Sequence, residues 1–318
     1  MSHLHHPWRA IVNPAAARGR ARKQWMAWLP TLQSLMPQLE WAFTESPGQA
    51  MDLAEQWVHE GCRHLVAVGG DGTHHEVCNG IFSALGPERA KEVLYTLLPL
   101  GSGNDWIRTH GQKRGLEAWL KLLEHGQPRL QSVGLVSFTN QAGEATQRYV
   151  INVAGMAYDA FVVRRAEGHP LKRKLLYPVL TLILLRQFQP PKLRLRYDDQ
   201  PVVEDRFYTI NAGPCRYSGG GMRLVPQADP QSDTMALTFA RSLSIWRILQ
   251  HSWRFYTGSI GEVKEVTTTQ AARISVSALS PNIPLEIEAD GEWLGYGPVE
   301  IVVLPEVLRY LGWEAKTG

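Results

Sequence analysis

The chain has 318 residues, 44% hydrophobic and 20% charged, which suits a soluble globular protein of two domains at roughly 100 to 200 residues each. Its 33 basic and 30 acidic side chains leave a formal charge of +3, too small to argue for a nucleic-acid partner. Three cysteines, Cys62, Cys78 and Cys215, lack CxxC spacing, which excludes a disulfide framework or a cysteine zinc site and suits reduced thiols in the cytoplasm.

The N-terminal MSHLHHPWRAIVNP lacks the basic start and apolar core of a signal peptide. It reads as a frayed, solvated terminus, with a metal at His3, His5 and His6 as the other reading. WRAIVN, LEWAFT and HLVAVGG then read as strands. Between them, Trp25, Trp28, Leu29, Leu32 and Leu35, and then Ala50, Leu53, Ala54, Trp57 and Val58, recur at helical spacing. Such alternation predicts a parallel sheet covered on both faces, with ligands at the strands' C-terminal ends. After about Gly126, SVGLVSF, RYVINVAG, KLRLRY, VVEDRFYTIN, MALTFA and ARISVSA are rich in β-branched and aromatic residues, interrupted by helices near 172–187 and 243–256. The expected fold is α/β: an N-terminal Rossmann-like three-layer α/β domain over 1–130 and a mainly antiparallel β-sandwich domain over 131–304. The apolar tail 305–318 is expected to pack back onto the first domain.

The longest apolar run, Leu175 to Leu185, is too short for a membrane span of about 20 residues. Flanked by Lys172, Arg173, Lys174 and Arg186, it suits either a buried core helix with Pro178 near its first turn or a segment resting on an anionic lipid surface.

The stretch VAVGGDGTHHEVCNGI, Val66 to Ile81, admits two accounts. In the first, Thr73 caps a helix, Glu76 reaches back to its amide, and the glycines permit a sharp strand-to-helix turn. In the second, Gly69, Gly70 and Gly72 let backbone amides approach an anion at the positive start of that helix. Asp71 would repel bare phosphate, so the second account needs Mg²⁺ between carboxylate and phosphate oxygens. The segment LPLGSGNDWIRTHG, Leu98 to Gly111, similarly reads as a helix start capped by Ser102 or Asn104 and closed at Gly111.

GGDGT resembles the nucleotide-binding signature shared by diacylglycerol kinases, sphingosine kinases and NAD kinases. The second segment is similar to a motif of the lipid kinases, with Ser102 for threonine, Trp106 for phenylalanine and Ile107 for alanine; NAD kinases carry a different one. Asn13-Pro14 followed by Ala17-Arg18-Gly19-Arg20-Ala21, Thr44 with Gly48 and Ala50, Tyr217 to Met222, and Pro226-Gln227-Ala228 extend the match over nearly the whole chain. The resemblance is to the bacterial diacylglycerol kinase family. It implies ATP and Mg²⁺ as cofactors and Asn13, Pro14, Arg18, Thr44, Gly69, Gly70, Asp71, Gly72, Thr73, Glu76, Ser102, Asn104 and Asp105 as nucleotide-binding residues, Asp71 meeting the ATP-bound Mg²⁺. A second, structural Mg²⁺ site of that family uses an aspartate-glycine pair. Here Ser232 and Asp233 stand at those positions, leaving Asp229 or Asp233 as ligand candidates.

Phosphoryl transfer to a hydroxyl needs a group to accept its proton. In IEADGEWLGYGP, Ile287 to Pro298, the pair Asp290-Gly291 signals a hairpin turn, and Glu286, Glu288 and Asp290 at period two read equally as a solvated strand face. Asp290-Gly291-Glu292 also matches the family's aspartate-glycine-glutamate motif. That implies Glu292 as general base with Asp290 supporting it, one carboxyl titrating high beside the other. The resulting expectation is an ATP-dependent kinase of lipid metabolism acting on a diacylglycerol-like lipid at a membrane surface. Arg164, Arg165 and Lys172 to Lys174 would face the bilayer, and no segment would span it. The alternatives are a kinase of a soluble acceptor such as NAD and a non-catalytic nucleotide-binding regulator.

Overall fold

Short runs of branched aliphatic residues make the strands of the first unit. In the computed structural model, which describes residues 2–101, 103–166, 183–280 and 283–314, they are β1 (Arg9–Val12), β2 (Glu40–Phe43), β3 (His64–Gly69) and β4 (Leu94–Pro99). Ser102, Lys172 to Lys174 and all of the apolar run before Ile183 lie outside the described residues. The chain divides into two compact units, Met1–Ser132 with Pro305–Gly318, and Val133–Leu304.

The strands of the first unit are parallel in the order β2-β1-β3-β4, with Val12 opposite Phe43 on one side and Val68 on the other. The connections out of β1 and β2 thus run in opposite directions along the sheet, which creates a switch point between β1 and β3. The helices are α1 (Ala21–Leu35), α2 (Gln49–His59), α3 (Asp71–Ala90), α4 (Asp105–Thr109) and α5 (Leu116–His125). Alternation along the strands sends Ala10, Val12, Val66 and Val68 to one face, against Trp25, Leu29 and Leu32 of α1 and Trp119, Leu122 and Leu123 of α5. Burying each of these leucines contributes on the order of 1.5–3 kcal/mol. Ile11, Leu65 and Ala67 are fully buried on the opposite face, where α2 and α3 lie. Those two helices approach so closely at Gly80 that a Cβ there would sit 2.3 Å from the Met51 carbonyl oxygen. Three layers result. Residues 305–312 complete the sheet, Tyr310 pairing in parallel with Tyr95 while Leu311 enters the core.

The N-terminus is not frayed, contrary to expectation. Leu4 and Trp8 are core residues, and they draw the histidines in with them. The His3 amide donates to Leu123 O at 2.7 Å, the His3 carbonyl accepts from Trp8 Nε1 at 2.7 Å, and His6 stacks on His64 with centroids 4.3 Å apart. Burial and the neighbouring His6 lower the His64 pKa to about 4, so that ring is neutral at ordinary pH.

The second unit contains β5 (Gln127–Thr139, its later residues), β6 (Ala145–Val150), β7 (Ala154–Ala157), β8 (Lys192–Tyr197), β9 (Val203–Gly213), β10 (Met235–Arg241), β11 (Val266–Ala271), β12 (Arg273–Ala278), β13 (Glu286–Ala289) and β14 (Glu292–Gly312, to Leu304). Its helices include α6 (Tyr158–Ala166), α7 (Ile245–His251) and α8 (Arg254–Thr257). Neighbours β11-β10-β9-β7-β13-β14 form one path, and β12 and β8 lead from β14 back to β9. The long strands β9 and β14 therefore serve both layers of an antiparallel sandwich. Inward-facing Phe138, Met156, Phe207, Ile210, Phe239, Ile274 and Ile287 fill it, with Phe207 edge-on to Phe239 at 5.8 Å. Cys62, Cys78 and Cys215 are buried and form no disulfide with one another. Among the described residues no helix is long and apolar enough to cross a membrane.

Candidate functional site

Three loops meet at the switch point of the first unit. After β1, Asn13 donates from its amide to Val68 O at 2.9 Å and from Nδ2 to Thr73 Oγ1 at 3.0 Å, while its Oδ1 accepts from Ala15 N at 3.0 Å. After β4, the Leu100 and Gly101 amides both donate to Gly69 O, at 2.7 and 2.9 Å. The loops touch backbone to backbone. A Cβ on Gly101 would lie 2.4 Å from Gly70 Cα, one on Gly69 2.4 Å from Thr73 Oγ1, and one on Gly103 2.7 Å from Asp71 Oδ2. Gly70, Gly101 and Gly103 are thus required by the contact of the two motifs, and Gly69 by the turn into Thr73.

Asp71 joins the two motifs. Its Oδ2 accepts from Asn104 N at 2.7 Å and its Oδ1 from Asp105 N at 2.8 Å, so its charge sits at the positive start of α4. This is a structural requirement that turn chemistry in the GGDGT stretch alone does not reveal. Asn104 adopts the left-handed region (φ 53°), donates from Nδ2 to Gly101 O at 2.9 Å and is fully buried; its Oδ1 has no partner among the described residues. Asp105 is buried, with Arg108 Nε 3.5 Å from its Oδ1. Gly72 lies in the first turn of α3.

The capping box does not form. Helix α3 begins at Asp71 with Gly70 at the cap position and no capping side chain, so Thr73 is already inside the helix. Glu76 instead accepts from Gly48 N and Ala50 N, both at 3.1 Å, and caps the neighbouring α2. With α3 uncapped, its first-turn amides remain directed at the loop cluster. Thr44 extends the ladder by donating from its amide to Val12 O at 3.0 Å and is buried. Pro14 and Arg18 belong to the loop after β1, where Ala17 (φ 53°), Arg18 (φ 60°) and Gly19 (φ 78°) are left-handed in succession and Arg18 is exposed. Ser102 lies outside the described residues.

A layer behind these loops escaped the sequence reading. His74 is buried, with Nδ1 2.7 Å from Tyr95 Oη, and its ring lies 4.6 Å from that of Trp106. Trp106 Nε1 donates to Gln131 Oε1 at 2.9 Å, and His110 Nε2 meets the same oxygen at 2.9 Å, which assigns that ring the Nε2–H tautomer. Burial lowers the His110 pKa to about 3 and raises that of Tyr95, so both of these rings are uncharged at neutral pH. The signal was His74-His75 at positions that become interior once the helix starts at Asp71.

In the second unit, Asp290 (φ 54°) and Gly291 (φ 88°) form the hairpin turn the sequence signalled. The Asp290 carboxylate accepts three backbone amides: Ile151 N at 3.0 Å on Oδ2, and Asn152 N at 2.8 Å and Val153 N at 3.0 Å on Oδ1. Asn152 Nδ2 passes the connection on to Tyr217 O at 2.7 Å, at the head of the Gly219-Gly220-Gly221 turn. Glu292, opposite Ala289, is half-buried.

The solvated-face reading of Glu286, Glu288 and Asp290 is overturned: they are 9%, 2% and 6% exposed, because β7 and α6 pack over β13. Glu286 Oε1 takes Arg164 Nη1 at 2.7 Å, and Arg164 also lies over Trp293. The Arg165 guanidinium lies over the Phe161 ring. Glu288 Oε2 accepts from Gly291 N at 2.8 Å. Asp159 accepts from Thr209 Oγ1 and, at 3.3 Å, from Asn211 Nδ2. A Cβ on Gly155 would lie 2.4 Å from Glu288 Oε1 and 2.8 Å from Asp159 Cβ, so glycine is needed for these carboxyls to converge. Burial, above all, raises both pKa values, and the charges of Asp159, Asp290 and Glu292 push Glu288 further, well above the ordinary carboxylate range. The high-titrating carboxyl beside the turn is therefore Glu288, which the sequence reading had placed on a solvated face.

The loop at Asp229 and Asp233 is closed by its own side chains. Asp229 Oδ1 accepts from Gln231 N at 3.1 Å, and Ser232 Oγ meets Thr234 N at 3.1 Å and Thr234 Oγ1 at 2.8 Å. Among the described residues no group of three His, Cys, Asp or Glu side chains is placed to hold a metal.

Comparison with known proteins agrees with the architecture. Residues 7–136 match the diacylglycerol kinase catalytic domain, and residues 152–312 match the YegS C-terminal NAD kinase beta sandwich-like domain. YtlR of Bacillus subtilis is 26% identical over 322 residues, covering 97% of this chain and 99% of YtlR. A diacylglycerol kinase of Mycobacterium tuberculosis is 24% identical over 304 residues, covering 95% of this chain and 94% of that one. The crystal structure of a Bacillus anthracis protein superposes with a TM-score of 0.74 at 20% identity, covering 97% of both chains, which shows a shared fold.

Proposed function

The chain belongs to the diacylglycerol kinase family of lipid kinases, and from that membership we propose that it transfers the γ-phosphate of ATP to the hydroxyl of a diacylglycerol-like lipid. The observation that carries this reading is the union of GGDGT and GSGND at the switch point, with Asp71 bonded to the amides of Asn104 and Asp105. Gly70 and Gly101 leave no room for side chains between the loops. The uncapped start of α3 offers amides to an anion, as a triphosphate requires. Mg²⁺ entering with ATP would neutralise phosphate charge. Asp71, half-exposed and the only acid of its loop, suits a cation held mainly by phosphate oxygens.

The lipid hydroxyl gives its proton to Glu292 as its oxygen bonds to the γ-phosphorus, and the bond to the β-phosphate oxygen breaks to release ADP. Glu292 suits the base because it is the more exposed carboxylate of the turn. Asp290 accepts three amides and positions the turn, and burial favours the neutral form of Glu288. Incubating the full chain with labelled ATP, Mg²⁺ and a lipid panel tests the proposal. Label is expected in a diacylglycerol-type acceptor; label in no lipid, or formation of NADP in a coupled assay instead, would overturn it.

A further inference from the structure

The second unit carries an aromatic face that no element of the catalytic reading uses. Helices α7 and α8 continue one another, since Ser252 (φ −59°, ψ −31°) and Trp253 (φ −63°, ψ −25°) between them keep helical angles. Trp246, Leu249, Trp253 and Tyr256 follow at spacings that place them within an arc of about 80° on one side. They are 80%, 37%, 55% and 59% exposed, and Trp246, Tyr256 and Trp253 are the three most exposed of the big apolar side chains in the described residues. On the opposite side Ile248 and Phe255 pack against the cluster of Tyr158, Val162, Leu184 and Ile260. A helix that is apolar on both sides is ordinarily covered on both.

The chemistry of the face says what covers it. Indole and phenol rings with an apolar body and a polar edge collect where a bilayer's hydrocarbon meets its headgroups. No acidic residue occurs from Ser242 to Gly261, while Arg247, His251 and Arg254 do. Over 241–265, Arg241, Arg247, Arg254 and Lys264 stand against Glu262 and Glu265, an excess of two positive charges (4 − 2). Glu265 and Glu262 hold Arg247 and Arg254 along the helix flank, leaving the rings to project.

We propose that the Trp246, Leu249, Trp253 and Tyr256 face is a bilayer-docking surface, seated in the headgroup layer of an anionic phospholipid membrane. The choice of a membrane as partner rests on the lipid-kinase reading, but the face can be tested without any phosphoryl transfer. Sedimentation of the full chain with phosphatidylcholine vesicles containing phosphatidylglycerol, and with phosphatidylcholine alone, reads binding directly. The wild type is expected to pellet with both, more strongly with the anionic vesicles. Trp246→Ala with Trp253→Ala should lower partitioning by about tenfold or more while the near-ultraviolet dichroism of the remaining core is kept. Trp246→Lys separates the contributions: charge attraction alone predicts tighter binding to anionic vesicles, whereas seated indoles predict weaker binding. Wild type that ignores both vesicles, or variants that bind as wild type does, would overturn the proposal. So would a wild-type dimer in light scattering that the double variant converts to monomer with vesicle binding unchanged, since a second copy would then cover the face. Vesicle binding with no lipid phosphorylation would overturn only the kinase reading.

Discussion

Two aspartate turns, one in each unit, solve a similar problem with different outcomes. Asp71 collects the amides of Asn104 and Asp105, and Asp290 collects those of Ile151, Asn152 and Val153. Each carboxylate ties a distant loop to a glycine turn. Asp71 remains half-exposed beside an uncapped helix start, whereas Asp290 is 6% exposed in a sealed hairpin. A motif aspartate can thus be an anchor beside an open helix start or an anchor in a sealed turn. In the second unit the proposed base is instead Glu292.

Substitutions can break that contrast, and the largest expected effect is at Glu292. Glu292→Gln should lower kcat for lipid phosphorylation by about 10²–10⁴-fold with an unchanged unfolding midpoint. A comparable loss in stability would instead make it a second anchor. Asp290→Ala strands three buried amides, each worth roughly 1–3 kcal/mol, so chemical denaturation should show a loss of about 3 kcal/mol or more. A loss below ~1 kcal/mol would mean the turn does not depend on its carboxylate.

Asp71→Ala should cost less stability, about 1–3 kcal/mol for two amides nearer solvent, yet abolish ATP binding in calorimetry. Normal ATP binding would reduce Asp71 to the same role as Asp290. Gly101→Ala forces a methyl against Gly70 Cα and should weaken ATP binding with a milder loss of thermal stability. The smallest effect concerns pH. Folding raises the Glu288 pKa above its ordinary 4.5, so the folded chain holds a proton that the unfolded chain releases. That contribution to stability is complete below pH 4.5 and is lost as pH rises toward the raised value. Glu288→Gln should therefore flatten the decline of the melting temperature on the alkaline side. An unchanged slope would place the proton elsewhere.

Strand and helix alternation, both glycine motifs and the Asp290-Gly291 turn were legible because each depends on local spacing and local dihedral preference. What was misread depended on a partner far along the chain. Glu76 has the spacing to cap its own helix, but Gly48 and Ala50 lie closer once α2 packs at Gly80. Glu286 and Glu288 alternate like a solvated face, yet β7 and α6 cover them, and only Gly155 hints that carboxyls converge there. His3 and His74 were hidden because histidine is at home in either surroundings and adjoining apolar residues decide.

Strand β14 gives the first unit a particular order of completion. Its last residues bring Tyr310 alongside Tyr95 and against Trp106 and His110, with ring centroids at 5.3 and 4.5 Å. Translation must therefore continue through residue 312 before the first unit can close. Until then one edge of β4 is bare and the histidine layer behind the glycine loops is uncovered. A nascent chain halted at Ser132 would be an open sheet still lacking its last strand.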